Sequence, residues 1–457
     1  MLNSGKSIYF DAEEFDELAD YFDFLDETET AKNIVEDGLK IHPQNESLRL
    51  KKAKFMLYER RYELAFDYLN NNFSEYDFEL YLLKIECLLQ MDMYDDAGEL
   101  ATIILNDEDN DPEISYSELG FLYTEADYFD EATYYFEKSL EYNPDNIEVL
   151  TELAYVYEMK SDFESAIKIS NKILDADPYF YETWVNVGKL YTLQEQFENA
   201  IDAFDFALTI NESDTDVLKL KAHCLFLCDR TEEAINIFEN CVELNPDDES
   251  LYYSLSECYL SLEQYDRMIE YLEKYQQYKG ETAEILAKKA FAYMQKGDAG
   301  IASELIEKGM ETDPESEDLN VVAGEFYFLK GDLPQSEIFF LKAYTTNMLN
   351  ETILDRLSAI NIWKNDFEKA AKYLEELIAI NPYSPLKNRL ALIYFEIGDK
   401  ERFNIYLDTF SNDELKSLVE VFFPENQFDL NTVTRESLII RLDDARECRQ
   451  LFKNIQY

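Results

Sequence analysis

Apolar side chains recur along this chain in paired blocks of helical length, separated by short polar turns. Within every second block a small residue keeps a fixed place: Ala31, Ala65, Ala97, Ala132, Ala166, Ala200, Ala234, Met268, Ala302, Ser336 and Ala370. From Ala132 to Ala370 every step is 34 residues, and the earlier steps are 34, 32 and 35. Small side chains at a fixed interval predict two helices crossing closely, where anything larger pushes the backbones apart. Met268 is the bulky exception, and local spreading is expected there.

Other positions keep the same register. Four residues after the small one stand Val35, Leu69, Phe136, Phe204, Phe238, Leu272, Phe340 and Leu374; three before it stand Tyr62, Tyr94, Phe129, Phe163, Phe197, Tyr265 and Phe367. Twelve after it come Pro43, Pro144, Pro178, Pro246, Pro314 and Pro382, each of which stops a helix and forces the next unit to start anew. Asp and Asn beside these prolines are ready helix caps. The pattern predicts eleven helix pairs, beginning near residues 12, 46, 78, 113, 147, 181, 215, 249, 283, 317 and 351. A degenerate twelfth carries Leu390, Tyr394, Phe403 and Leu407.

A single hairpin cannot bury its own apolar face; stacking against neighbours does so, and the end units need polar or atypical lids. Residues 1–11 are expected as a lead-in, 12–409 as the array and 410–457 as a helical cap. The first helix, with six acidic residues between Glu13 and Phe24, makes a soluble lid. In the tail, Asn412, Asp413 and Glu414 start a helix that Pro424 stops. A last helix, starting near Thr434, places Leu438, Leu442, Ala445 and Phe452 at helical spacing.

The most regular units spell a known signature: Tyr116, Leu119-Gly120, Tyr123, Ala132, Phe136 and Pro144 in the fourth, and Trp184, Val187-Gly188, Tyr191, Ala200 and Phe204 in the sixth. This resembles the tetratricopeptide repeat over roughly residues 12–409, and eleven units in register make the resemblance specific. It implies an all-α, right-handed superhelical solenoid of antiparallel helix hairpins. It also implies a concave groove lined by the first helix of each unit, at its second, fifth, ninth and twelfth residues.

Charge narrows the class of partner. The 457 residues include 41 basic and 97 acidic side chains, a net charge of −56. Such a surface repels nucleic acid and anionic membranes and favours basic partners or plain solubility. No apolar run is long enough to span a bilayer and no apolar leader opens the sequence, so a cytoplasmic location and no membrane insertion are expected.

Candidate chemistry is sparse. His42 and His223 belong to different units, which leaves no Ser-His-Asp or Cys-His arrangement. Cys87, Cys224 and Cys258 share one register position on first helices and suit packing as reduced thiols; Cys228, Cys241 and Cys448 complete the set. Asp107, Asp109, Asp111 and Glu118 match four positions of a calcium loop. Pro112, however, stands where the loop needs glycine, and Glu118 falls within a repeat helix. No catalytic residue, cofactor or metal site is expected.

By the resemblance, the groove positions are acidic at the start (Glu13, Asp16, Asp20, Asp23), whereas Tyr155, Asn186, Lys189, Lys219 and His223 bring cations together in the middle. Those five are the candidate partner-binding residues; Ser117, Phe121 and Thr124 are the exposed positions expected of the fourth unit. Relatives that clamp a C-terminal carboxylate carry Lys and Asn where Thr151 and Tyr155 stand here, so the full clamp is not matched. The plainer account of the lysines is pairing with neighbouring acids. The expectation is a non-enzymatic scaffold or adaptor holding a protein or peptide segment, with basic segments favoured. The alternative is a regulatory or substrate-recruiting subunit of a multiprotein enzyme complex.

Overall fold

A computed structural model describes residues 10–411 except position 383, together with the single positions Thr434, Glu436 and Ser437. The two tail helices, with Leu438, Leu442, Ala445 and Phe452, lie outside the described residues, as do Cys448 and most of the lead-in. The described chain is all-α, with 24 helices and no strand among those residues.

The chain divides into two compact units, 1–237 and 238–457. The first contains α1 (Ala12–Phe24), α2 (Thr28–Ile41), α3 (Glu46–Tyr58), α4 (Tyr62–Asn72), α5 (Phe78–Gln90), α6 (Tyr94–Asn106) and α7 (Pro112–Glu125). It continues through α8 (Phe129–Tyr142), α9 (Ile147–Met159), α10 (Phe163–Ala176), α11 (Tyr181–Leu193), α12 (Phe197–Ile210) and α13 (Thr215–Leu227). The division falls within α14 (Thr231–Leu244). The second unit holds α15 (Glu249–Ser261), α16 (Tyr265–Lys279), α17 (Ala283–Gln295), α18 (Ala299–Thr312), α19 (Glu317–Leu329) and α20 (Leu333–Thr346). It ends with α21 (Glu351–Trp363), α22 (Phe367–Ile380), α23 (Lys387–Ile397) and α24 (Lys400–Thr409). Within each unit, odd and even helices pair as hairpins, and each hairpin packs on the next.

Every rung of the small-residue ladder, Met268 and Ser336 included, is 0% exposed. Ser336 satisfies its hydroxyl by donating to the Gly324 carbonyl at 2.9 Å. The position four residues on trades size with the facing position eight of the first helix. Where the former is Phe136, Phe204 or Phe340, the latter is Gly120, Gly188 or Gly324. A Cβ added at Gly120 or Gly188 would sit 2.4 Å from the ring, and one at Gly324 2.9 Å away. Where the former is Ala101, the first helix supplies Ile85. Each pair fills about the same volume, as close packing requires. Full burial of one such Phe contributes about 2–3 kcal/mol.

Starts and stops follow local chemistry. Asn45, Asp77, Asp111, Asn146, Asp214, Asp248, Ser316 and Asn350 each cap a first helix by accepting from a backbone N–H one turn in. Asp11 opens α1 with a capping box closed by Glu14. The turn inside each hairpin uses one residue at positive φ: Asp26, Arg60, Asp92, Asp127, Ser161, Glu195, Asp229, Glu263, Gly297, Gly331, Asn365 and Gly398. At Asp127 the bonds are Tyr128 N–H to Tyr123 O (2.9 Å) and Asp127 N–H to Thr124 O (3.0 Å). That is a Schellman closure. The sequence pattern does not reveal this turn, because the position holds Gly or Asn in only four of the twelve hairpins, and Arg60, Ser161, Glu195 and Glu263 are side chains that rarely adopt the left-handed region.

Candidate partner-binding face

On most first helices the second, sixth and ninth positions are partly or fully exposed; Leu83 of α5 and Ala359 of α21 are buried exceptions. Along α3 this open face is neutralised: Lys51 Nζ lies 2.9 Å from Asp16 and 2.7 Å from Asp20, and Lys54 reaches Glu79 at 2.5 Å. Between α5 and α9 it is not. Glu86, Glu118, Glu125, Glu148 and Glu152 make no ion pair among the described residues.

Burial acts on these carboxylates. Glu86 is pushed up to about 7, first by desolvation and then by Glu125, with Lys54 opposing. Glu118 is raised by burial and by Glu148, and Glu152 by burial, Glu148 and Glu125.

Next along the chain come the five candidate residues. Tyr155 on α9 is 45% exposed. Asn186 is half-buried and Lys189 exposed on α11, and His223 is exposed on α13. Lys219 on α13 forms an ion pair with Asp216, one turn back on its own helix, at 2.8 Å. The plainer expectation of local pairing therefore holds for Lys219 but not for Lys189, which has no ion-pair partner among the described residues. All five lie on first helices α9, α11 and α13 of the first unit.

The fourth unit corrects its expected exposed set. Ser117 and Thr124 are buried, with hydroxyls donating to the carbonyls of Ile114 at 3.0 Å and Gly120 at 2.9 Å. Glu118 and Glu125, one residue further on, face outward instead. The helix is rotated by its packing: Phe136 lies against Gly120, and that side of the turn must face in.

The acidic run before α7 serves the fold. Asp111 accepts from Glu113 N–H at 2.9 Å as the N-cap, and Asp107 accepts from Asp109 N–H at 3.0 Å. The register-matched thiols are buried, and Cys87 and Cys258 are pushed up to about 12, which keeps them protonated and unreactive. Cys224 Sγ rests 3.3 Å from Thr192 Oγ1. His42 Nε2 lies 3.0 Å from the Phe10 carbonyl, so its ring ties the start of the chain to the first turn.

Two family models described as Tetratricopeptide repeat match this chain, one at residues 135–168 and the other at 114–146 and 249–281. Those last two segments start within one residue of the fourth and eighth units read from the ladder. The chain is a tetratricopeptide repeat protein. A third model, described as Anaphase-promoting complex, cyclosome, subunit 3, matches residues 159–241 of this repeat protein. No curated protein matches it.

Among solved structures, the array is similar to a tetratricopeptide repeat protein from Parabacteroides merdae (16% identity, TM-score 0.42, covering 55% of this chain and 99% of that one). It is also similar to the APC/C hetero-tetramer Cut9-Hcn1 (13%, TM-score 0.41, 95% and 96%). A third is YrrB, described as a TPR protein with an unusual peptide-binding site (19%, TM-score 0.36, 40% and 95%). No helix among the described residues is long and apolar enough to cross a membrane.

Proposed function

We propose that this repeat array is a non-enzymatic scaffold or adaptor that holds a protein or peptide segment on the open face of its first helices. The observation that carries the reading is the set of charges on that face without an ion pair among the described residues, Lys189 on α11 and Glu118, Glu125, Glu148 and Glu152 on α7 and α9. Tyr155, Asn186, Lys189, Lys219 and His223 form the centre of the contact. The ligand carries basic residues, and nucleic acid is disfavoured by the charge of −56. Residence in the cytoplasm belongs to the same reading, supported by buried free thiols at Cys87, Cys224 and Cys258.

Capture from native extract with the intact chain, compared with the Lys189→Glu/Lys219→Glu variant, tests the site. The expected outcome is one or more proteins lost from the variant and released from the wild type as salt is raised. A partner held equally by both sinks the assignment of these residues.

A second reading, a regulatory or substrate-recruiting subunit of a multiprotein enzyme complex, is favoured by the match at residues 159–241. Co-migration of the chain with an enzymatic activity in native extract supports it; migration of the chain free of any such activity opposes it.

A further inference from the structure

We propose that an exposed apolar row, Met159, Leu193 and Leu227, docks an amphipathic helix of a partner protein, whose apolar residues recur about every seven positions between Lys/Arg flanks. The inference rests on the scaffold reading and deepens it by naming the form of the ligand. In eight of the twelve hairpins the last residue of the first helix is apolar and exposed. Gln90 and Glu125 interrupt the series on α5 and α7. On α9, α11 and α13 it runs unbroken, with Met159 48%, Leu193 58% and Leu227 43% exposed. Single exposed apolar residues are ordinary; three in one register on successive first helices form a continuous strip that nothing in the fold covers.

The spacing selects a helix. Tyr157 of α9 shares a core with Leu190 and Tyr191 of α11, and Thr192 Oγ1 of α11 lies 3.3 Å from Cys224 Sγ of α13, so the three first helices stand side by side. Neighbouring helices sit about 10 Å apart, and an α-helix rises about 10.5 Å in seven residues, so a helix laid across the row meets each step with one heptad. A strand at about 3.3 Å per residue reaches the next step with its third residue, which points to the opposite side. Tyr155, one turn before Met159 on the same side of α9, widens the strip at that end.

Charge selects the flanks. Glu125 stands in the same register on α7, and the left-handed turn residues beside Leu193 and Leu227 are Glu195 and Asp229. These three acids make no ion pair among the described residues, whereas the nearby bases are held already, Lys160 by Asp130 and Arg230 by Glu198 and Glu233. Lys189, one turn before Leu193, disfavours a base opposite the middle step. The second unit carries a similar row, Leu329, Trp363 and Ile397, but its turn residues are the uncharged Gly331, Asn365 and Gly398. A basic amphipathic helix therefore suits the first row and not the second.

A three-heptad peptide with leucines along one face and lysines on both sides of them tests the proposal on the intact chain. A scrambled peptide of identical composition spreads the leucines around the helix and cancels the general pull of an acidic chain on cations. A third peptide carries proline at its centre. By fluorescence anisotropy the first peptide is expected to bind about tenfold tighter than either control. Leu193→Gln/Leu227→Gln should remove that advantage. Glu195→Gln/Asp229→Asn should weaken the first peptide severalfold and flatten its salt dependence. Leu329→Gln/Trp363→Gln, a comparable loss of apolar surface in the second unit, should leave binding as it was. All six side chains are exposed, so loss of binding is not loss of fold; circular dichroism checks this.

Equal binding of the first peptide and its scramble overturns the proposal, as does an equal loss with the second-unit control. Undiminished binding of the proline peptide overturns the helical form of the ligand. If a captured native partner is lost from Lys189→Glu/Lys219→Glu but kept by Leu193→Gln/Leu227→Gln, the apolar row fails and the scaffold reading stands. If neither partner nor peptide binds, both fail.

Discussion

The open face of α5–α9 and that of α15–α23 are built on the same repeat and treat charge in opposite ways. In α15–α23, Lys288 bridges to Glu257, Arg356 to Glu325 at 2.6 Å, and Arg389 to Asp355 at 2.5 Å. Aromatic faces back two of these cations: Lys288 lies over Tyr253 and Arg356 over Phe328. Burial is the largest single influence on Lys288 and pulls it downward, but the hydrogen bond and charge of Glu257 together with Tyr253 outweigh it and leave Lys288 raised. On α5–α9 the carboxylates have like-charged neighbours, and burial followed by Glu125 pushes Glu86 up to about 7. The lesson is that the repeat fixes where side chains point, while the residue types at positions six and nine decide whether the face is finished or open. The hairpin turns differ in parallel. All seven left-handed turn residues from Asp26 to Asp229 carry side chains, whereas three of the five turns of the second unit use Gly297, Gly331 and Gly398, the other two keeping Glu263 and Asn365.

The largest expected effect falls on what the regions share. Gly120→Val and Gly324→Val each drive a branched side chain into a Phe ring, and each should cost about 3 kcal/mol in urea unfolding. If one is tolerated, hairpin packing is not the common element.

Next comes the finished face. Arg356→Ala strands Glu325 in a half-buried site and should cost about 2 kcal/mol, between the values of surface and buried pairs. The matching change at Glu118 should not destabilise at all.

The open face should respond in the opposite direction and with pH. The ordinary value for Glu86 is 4.5, which the unfolded chain keeps, and the folded value is about 7. Below the unfolded value both states hold the proton and Glu86 costs nothing. Between the two, the unfolded chain sheds its proton first, so stability falls as pH rises, and above the folded value the penalty is complete. Glu86→Gln should therefore stabilise by about 1–2 kcal/mol at pH 8, after allowance for solvent screening at a partly open site, and be neutral at pH 4. An equal gain at both pH values would show that the carboxylate is not strained.

The smallest effects probe the turns. Arg60→Gly should stabilise by about 0.5 kcal/mol and Gly297→Ala destabilise by about 1 kcal/mol, since only the left-handed backbone is at issue at Gly297, where an added Cβ meets nothing within 4 Å. Equal and small effects at both would remove the turns from the comparison.

The sequence by itself determined the hairpins, their number and their tight crossing points, because a 34-residue period written in Ala, Phe and Pro admits one way of burying each face. Every residue from Ala31 to Ala370 on that ladder is fully buried, and Leu390, Tyr394, Phe403 and Leu407 of the degenerate last unit are buried too. Lys189 and Lys219 stand out in the sequence because lysines are scarce where acids dominate. Only the tertiary structure decided which side chains on a helix stay open. Ser117 and Thr124 turned inward, and Glu118 and Glu125 outward, because Phe136 occupies the space beside Gly120. It alone separated Lys219, which bonds Asp216 within its own helix, from the unpaired Lys189. Ion pairs between successive first helices join residues about 31 apart, such as Lys288 with Glu257. A charge pattern at that distance acquires meaning only when stacking brings the two helices side by side.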